Sequence, residues 1–140
     1  MKKGAGIILI KDGKILLVKA KDKSLHLNGT IAIPGGHINE NEAEADAARR
    51  ELEEETGVTA KNLFEFPNNY VEDKIIRKDG EIEYSFKVYL VTDYSGKIKT
   101  NSDEEEPFWA DLEQARKMKL WAHNNELLES ALKYLNNIQL

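Results

Sequence analysis

The sequence predicts an α/β sandwich built on a mixed β-sheet, and three observations predict it. Short apolar runs bounded by turn residues open the chain and recur in its middle. An amphipathic helical pattern lies between the two sets, and two more helical patterns close the chain. Strands, helix, strands and helices in that order suit a sheet covered by helices.

Ala5–Ile10 and Ile15–Ala20 are apolar runs joined by Lys11-Asp12-Gly13-Lys14, whose Asp-Gly pair signals a hairpin. Thr30–Ile33 reads as a short strand ended by Pro34-Gly35-Gly36, a loop signal. Glu42–Thr56 reads as a helix whose buried stripe is Ala45, Ala48 and Leu52, small enough to pack closely on a sheet. Asn41 is its expected N-cap, Glu44 would complete a capping box, and Gly57 suits the left-handed position past its end. Tyr70–Ile76 and Ile82–Thr92 flank Arg77-Lys78-Asp79-Gly80-Glu81 as a second hairpin. The longer strand alternates, with Ile82, Tyr84, Phe86, Val88 and Leu90 on one face and Glu83, Ser85, Lys87 and Tyr89 on the other. A polar stretch from Ser95 to Glu106 leads into Pro107-Phe108-Trp109, and Asp111–Met118 forms a short helix. Asn125–Leu135 is a terminal helix turning Leu127, Leu128, Ala131, Leu132 and Leu135 inward. No repeat, low-complexity tract or linker interrupts this order, so residues 1–140 read as one domain.

The totals exclude several classes. With no cysteine there is no disulfide, thiolate nucleophile or zinc–thiolate site, and the three histidines lack zinc spacing. The first apolar run is cut short by Lys11-Asp12-Gly13, so it reads as a strand rather than a secretory signal. No segment reaches the length of a membrane span, and a cytoplasmic address is the expectation. Of the net charge of −5, residues 40–55 alone carry −6. An acidic chain with no basic stripe is a poor candidate for nucleic-acid binding. A small anionic substrate could still bind if cations bridged it to the acidic face.

That face lies within Gly36 to Val58. Glu51, Glu54 and Glu55 stand at helix offsets 0, 3 and 4, so three carboxylates emerge on one side within a turn. Their mutual repulsion destabilises an isolated helix, and a hard divalent cation such as Mg²⁺ or Mn²⁺ is the natural group to offset it. A solvated acidic face is the bland alternative for three glutamates taken alone.

The same stretch matches the pattern G-x5-E-x7-R-E-U-x-E-E-x-G-U, with U a bulky aliphatic residue, at every fixed position. Those residues are Gly36, Glu42, Arg50, Glu51, Leu52, Glu54, Glu55, Gly57 and Val58. In this the chain resembles the Nudix hydrolases, which act on nucleoside diphosphates linked to another moiety. The preceding strands and the closing Trp109-plus-helix pattern extend the resemblance over most of the chain. The resemblance implies a Nudix-type αβα sandwich with a mixed β-sheet and a loop-helix-loop catalytic box that binds Mg²⁺ or Mn²⁺. It implies that Glu51, Glu54 and Glu55 ligate the metal, that Arg50 orients a box carboxylate, and that Glu42 sits near the metals or braces the loop. Gly35 or Gly36 would offer a backbone carbonyl to the metal, with Gly36 also bordering the substrate. Glu51 is the expected general base, although other branches of the family use an acid from a distant loop. Glu51, Glu54 and Arg50 thus form the expected catalytic set.

Asn39, Asn41 and Ala43 depart from the commonest form of the box, which bears on loop shape and metal number. Within Asp103-Glu104-Glu105-Glu106, Glu104 and Glu105 are candidates for one further metal ligand or base, against a merely solvated charge run. Trp121 to Glu126 resembles the segment from which MutT-type enzymes read a purine, with Asn125 where such an enzyme uses an Asn amide. The alternative for Asn125 is an N-cap. His26, Lys19 and Lys21 are further candidates to meet base or phosphates, while Trp109 and Trp121 read as core residues.

The resulting expectation is an Mg²⁺-dependent pyrophosphohydrolase converting a nucleoside triphosphate to the monophosphate and pyrophosphate, oxidised purine nucleotides included. The alternatives are a dinucleoside polyphosphate or ADP-ribose-type pyrophosphatase and, in another class, a non-catalytic nucleotide sensor. Regulators of that last kind lose box carboxylates, and this chain keeps all of them. The expected partner is a small-molecule nucleotide, with no nucleic acid and no membrane, and a monomer or homodimer as the assembly.

Overall fold

A computed structural model describes residues 1–21, 29–99 and 105–138. Strands β1 (Lys2–Lys11) and β2 (Lys14–Ala20) form the first hairpin, with Ile10 opposite Ile15. Asp12 (φ 53°) and Gly13 (φ 75°) both take the left-handed conformation that a tight two-residue turn requires. Strand β3 (Ile31–Ala32) pairs with β2, and β4 (Gly35–His37) runs antiparallel to β1, with Gly6 opposite Gly35. The Pro34-Gly35-Gly36 segment is therefore partly a strand, where the sequence predicts a loop. Glycine permits the pairing: a Cβ on Gly35 would lie 2.7 Å from the Ala5 carbonyl oxygen.

Helix α1 (Glu44–Thr56) follows, then β5 (Thr59–Ala60), β6 (Tyr70–Arg77), β7 (Gly80–Val91), β8 (Tyr94–Ser95), β9 (Glu105–Asp111), α2 (Leu112–Lys117) and α3 (Asn124–Ile138). The main sheet is ordered β3-β2-β1-β7-β6, with β4 added to β1 and β9 added to β2. Strands β1 and β7 are parallel from Lys2 opposite Tyr84 to Leu9 opposite Val91, while the other pairs are antiparallel, so the sheet is mixed. Strands β5 and β8 make a separate two-stranded sheet.

Successive residues of β1 serve opposite faces. Ile7 and Leu9 join Leu16, Tyr89 and Val91 under Ala47, Ala48 and Leu52 of α1. Ile8 and Ile10 join Leu17, Val88 and Leu90 under Ala115 of α2 and Leu127, Leu128, Ala131 and Leu132 of α3. Helices on both faces of a mixed sheet are the predicted sandwich. No described helix is long and apolar enough to cross a membrane.

Three local expectations are corrected. Helix α1 begins at Glu44 rather than Glu42, and its N-cap is Ala43 with no side-chain cap, so the Asn41–Glu44 capping box does not form. Asn41 instead takes a left-handed turn in the loop (φ 64°). The buried residues of that helix include Ala47, while Ala45 is only partly covered. Lastly, the end of the polar stretch and Pro107-Phe108-Trp109 form β9, whose partner among the described residues is β2; Pro107 is tolerated because an edge strand leaves one row of donors unused. Gly57 closes α1 as predicted, at φ 82° with its N–H donating to the Glu53 carbonyl.

Candidate active site

Burial of Ala48 and Leu52 against the sheet turns the Glu51–Glu54–Glu55 side of α1 toward β4 and its preceding loop. One guanidinium organises that side. Arg50 donates to both oxygens of Glu42, Nε to Oε2 at 2.9 Å and Nη2 to Oε1 at 3.1 Å. It also donates to Glu51 Oε1 at 3.0 Å, to Glu54 Oε2 at 3.2 Å and to the His37 carbonyl at 2.8 Å. A planar fork of five N–H donors can serve so many acceptors at once, and a lysine could not. Glu42 in turn accepts from the Asn39 N–H at 3.0 Å, so it braces the loop ahead of the helix. Its hydrogen bond from Arg50 holds its carboxyl below the ordinary range.

Glu55 behaves differently. It is only 9% exposed, and its Oε1 accepts from the Gly35 N–H at 2.7 Å. Burial pushes its pKa up to about 9, and the nearby carboxylates of Glu51, Glu105 and Glu54 add to the rise. Glu51 is half-buried, and burial raises its pKa too, against the opposing pull of Arg50. Gly36 is what lets Glu51 lie against β4, because a Cβ there would stand 2.5 Å from the Glu51 carboxyl carbon. The repulsion predicted from the 0, 3, 4 spacing is thus offset by Arg50 for two glutamates and by proton retention for the third. Among the described residues no three His, Cys, Asp or Glu side chains converge as a ready-made metal cage. Oxygen-only donors crowded beside a buried carboxyl do fit the chemistry of a hard cation.

This acidic wall borders an open cleft of about 160 Å³. Glu55, Glu105, Gly35 and Gly36 line it on one side, and Tyr84, Phe86, Trp121 and Asn124 also line it. The Tyr84 and Trp121 ring centroids are 6.3 Å apart. Asn124 is 2% exposed, and its Oδ1 accepts from the Ile33 N–H at 3.0 Å, which leaves the amide N–H₂ as the group of opposite character.

The structure brings together Glu51, Glu54, Glu55, Arg50, Gly35, Gly36 and Glu105. His26 and Glu104 lie outside the described residues. Lys19 and Lys21 do not line the cleft. Val18 does, and strand alternation turns the exposed Lys19 to the other face. Asn125 also departs from expectation. Its Oδ1 accepts from the Leu120 N–H at 2.9 Å and its Nδ2 donates to the Met118 carbonyl at 2.8 Å, so its amide is spent on the loop before α3. Its neighbour Asn124 occupies the cleft instead. Trp121 lines the cleft rather than the core, whereas Trp109 packs as predicted, 5.3 Å from the Tyr94 ring. The sequence places Tyr84 and Phe86 only on a strand face, and their alternation is the available signal for a shared surface.

Residues 1–131 match the family model described as the NUDIX domain. An ADP-ribose pyrophosphatase of Methanocaldococcus jannaschii is 28% identical over an alignment of 116 residues that covers 79% of this chain. The chain spans 62% of the length of that relative. Among solved structures, a MutT NUDIX hydrolase from Burkholderia pseudomallei aligns with a TM-score of 0.74 at 25% identity, covering 92% of this chain and 96% of that one. The NUDIX domain of Shewanella oneidensis NrtR, complexed with ADP ribose, shares the fold with a TM-score of 0.78 at 21% identity, covering 95% of this chain and 87% of that one.

Proposed function

Since this chain belongs to the NUDIX family, we propose that it is a divalent-cation-dependent pyrophosphohydrolase acting on a nucleoside diphosphate linked to another moiety. The observation that carries the reading is the buried Glu55 carboxyl beside Glu51, Glu54 and Glu105, on a cleft also lined by aromatic rings. Glu51, Glu54 and Glu55 would hold Mg²⁺ or Mn²⁺, with Glu105 and the Gly35 carbonyl as further oxygen donors. When bound, the cation neutralises the pyrophosphate and makes its attached water more acidic.

The chain's own groups supply the rest. Glu51 is half-buried beside the proposed cation site, where its carboxylate is placed to act as a proton acceptor. In the proposed step it takes a proton from the attacking water, whose oxygen bonds to phosphorus while the bridging P–O bond breaks and the second phosphate leaves. Arg50 acts as a positioning residue, holding Glu51 and Glu54 on one guanidinium while Glu42 anchors it from the loop. The faces of Tyr84, Phe86 and Trp121 suit a flat organic moiety such as a nucleobase.

A nucleoside triphosphate, cut to the monophosphate and pyrophosphate, is the first reading of the substrate. A second, ADP-ribose-type reading is favoured by the relative that bears the name ADP-ribose pyrophosphatase. Incubating the purified chain with Mg²⁺ and a nucleotide panel separates them. Pyrophosphate from a triphosphate supports the first, and AMP plus ribose phosphate from ADP-ribose supports the second. Tight binding with no turnover of any member would overturn hydrolysis altogether.

A further inference from the structure

We propose that the Asp73–His123 pair is a positioning element that holds Trp121 and Asn124 at the cleft, so that substrate affinity rather than the chemical step depends on it. The kinetic part rests on the pyrophosphohydrolase reading; the structural part does not. Trp121 to Asn124 is the joint between α2 and α3, and it needs holding. Ala122 sits at φ 48°, a conformation that side chains other than glycine disfavour and that surrounding contacts must impose.

The contacts that hold the joint come from two sides. On one, the Trp121 N–H donates to the Ile31 carbonyl at 2.8 Å, and Asn124 Oδ1 accepts from the Ile33 N–H. On the other, His123 Nε2 lies 2.5 Å from Asp73 Oδ2 of β6. Asp73 stands opposite Tyr84 in the β6–β7 register, and the Tyr84 ring neighbours that of Trp121. The pair therefore closes a loop of contacts from β6 through His123 and Trp121 to Tyr84 and back to β6.

The charged groups facing the imidazole are Asp73 from β6 and Glu126 from α3, the latter 3.3 Å from Nδ1. Tyr84 of β7 feels the Asp73 charge. Two carboxylates need two N–H donors, which only the imidazolium offers. Asp73 accordingly raises the His123 pKa above its ordinary 6.5, and His123 lowers that of Asp73. A pKa raised by folding means that the clasp is complete below 6.5 and loosens as pH climbs through the raised value.

The test is Asp73→Asn, at a side chain nearly half exposed and clear of the core. At pH 6 its KM for the best nucleotide is expected to rise about three- to fivefold, as for a surface ion pair, with kcat within twofold of the unaltered chain. The gap should narrow as pH rises, and Asp73→Glu should recover most of it. An unchanged KM at pH 6, or a fall in kcat with KM unaltered, would overturn the proposal. NMR of the ligand-free protein supplies a readout independent of turnover. The Trp121 indole resonance should follow the His123 titration, and should cease to follow it in Asp73→Asn. An indole indifferent to that titration overturns the positioning role, whereas absent turnover with a responsive indole sinks only the hydrolase reading.

Discussion

The acidic wall of the cleft comes almost wholly from one continuous stretch, Gly35 to Glu55, whereas the aromatic wall gathers Tyr84, Phe86, Trp121 and Asn124 from two separate segments. In the first, a single helical turn fixes the spacing of the carboxylates, and Arg50 gathers two of them with Glu42 on one side chain. In the second, geometry depends on strand register and on two hydrogen bonds from the joint to residues 31 and 33, some ninety positions away in sequence. A wall made by local geometry tolerates little substitution in its chemistry. A wall made by distant contacts is set only by the tertiary fold.

The sharpest way to separate the two walls is Glu54→Gln. Glu54 is more than half exposed and its deletion from the acidic set should leave the fold intact. Turnover should fall by about two to four orders of magnitude, because a neutral amide is a poor oxygen donor to a hard cation. Thermal unfolding measured beside kcat checks this, and near-normal turnover in a folded variant would remove Glu54 from the metal set.

The adjacent asparagines test the aromatic wall with a smaller effect. Asn124→Asp keeps the acceptor that Ile33 uses but replaces the amide donor with a carboxylate, and should raise KM roughly tenfold with little change in kcat. Asn125→Ala should do the reverse. It leaves the Leu120 N–H and the Met118 carbonyl without their partner, at a cost of about 1–2 kcal/mol in unfolding free energy, while KM holds. If Asn125→Ala raised KM and Asn124→Asp did not, the two residues would exchange roles.

These contrasts also show what was legible in the sequence. The 0, 3, 4 spacing of Glu51, Glu54 and Glu55 needs only helical periodicity, and both hairpins and the inward leucines of α3 needed only period and turn chemistry. Which glutamate is buried was not legible, because that depends on β4 pairing with β1 through Gly35 and Gly6. That Asn124 rather than Asn125 lines the cleft is not legible either, because it depends on the Asn124 contact with Ile33, 91 positions away in sequence. Strand β9 carries three charged residues and a proline in seven, so no alternation announces it; its place follows from pairing with β2. The start of α1 is not legible either, because the Glu42–Arg50 pair, formed eight residues apart, holds Glu42 in the loop that leads into the helix.

The smallest effect concerns Glu55, and its sign is opposite to that of an ordinary loss of function. In the metal-free protein its folded pKa of about 9 lies above the model-peptide value of 4.5, so the folded state holds a proton that the unfolded state releases. Between those two values stability must fall as pH rises, because the unfolded chain binds fewer protons there. Glu55→Gln keeps an oxygen to accept from the Gly35 N–H but carries no charge to bury. With chelator present, the variant should unfold a few degrees higher than the unaltered chain at pH 8, and the two should converge as pH approaches 4.5. Added Mg²⁺ should then raise the unfolding temperature of the unaltered chain and leave the variant nearly where it was, since binding to the native state alone is what shifts it. Parallel pH curves for the two proteins would show that Glu55 carries no buried-charge cost, and an equal response to Mg²⁺ would take it out of the metal site.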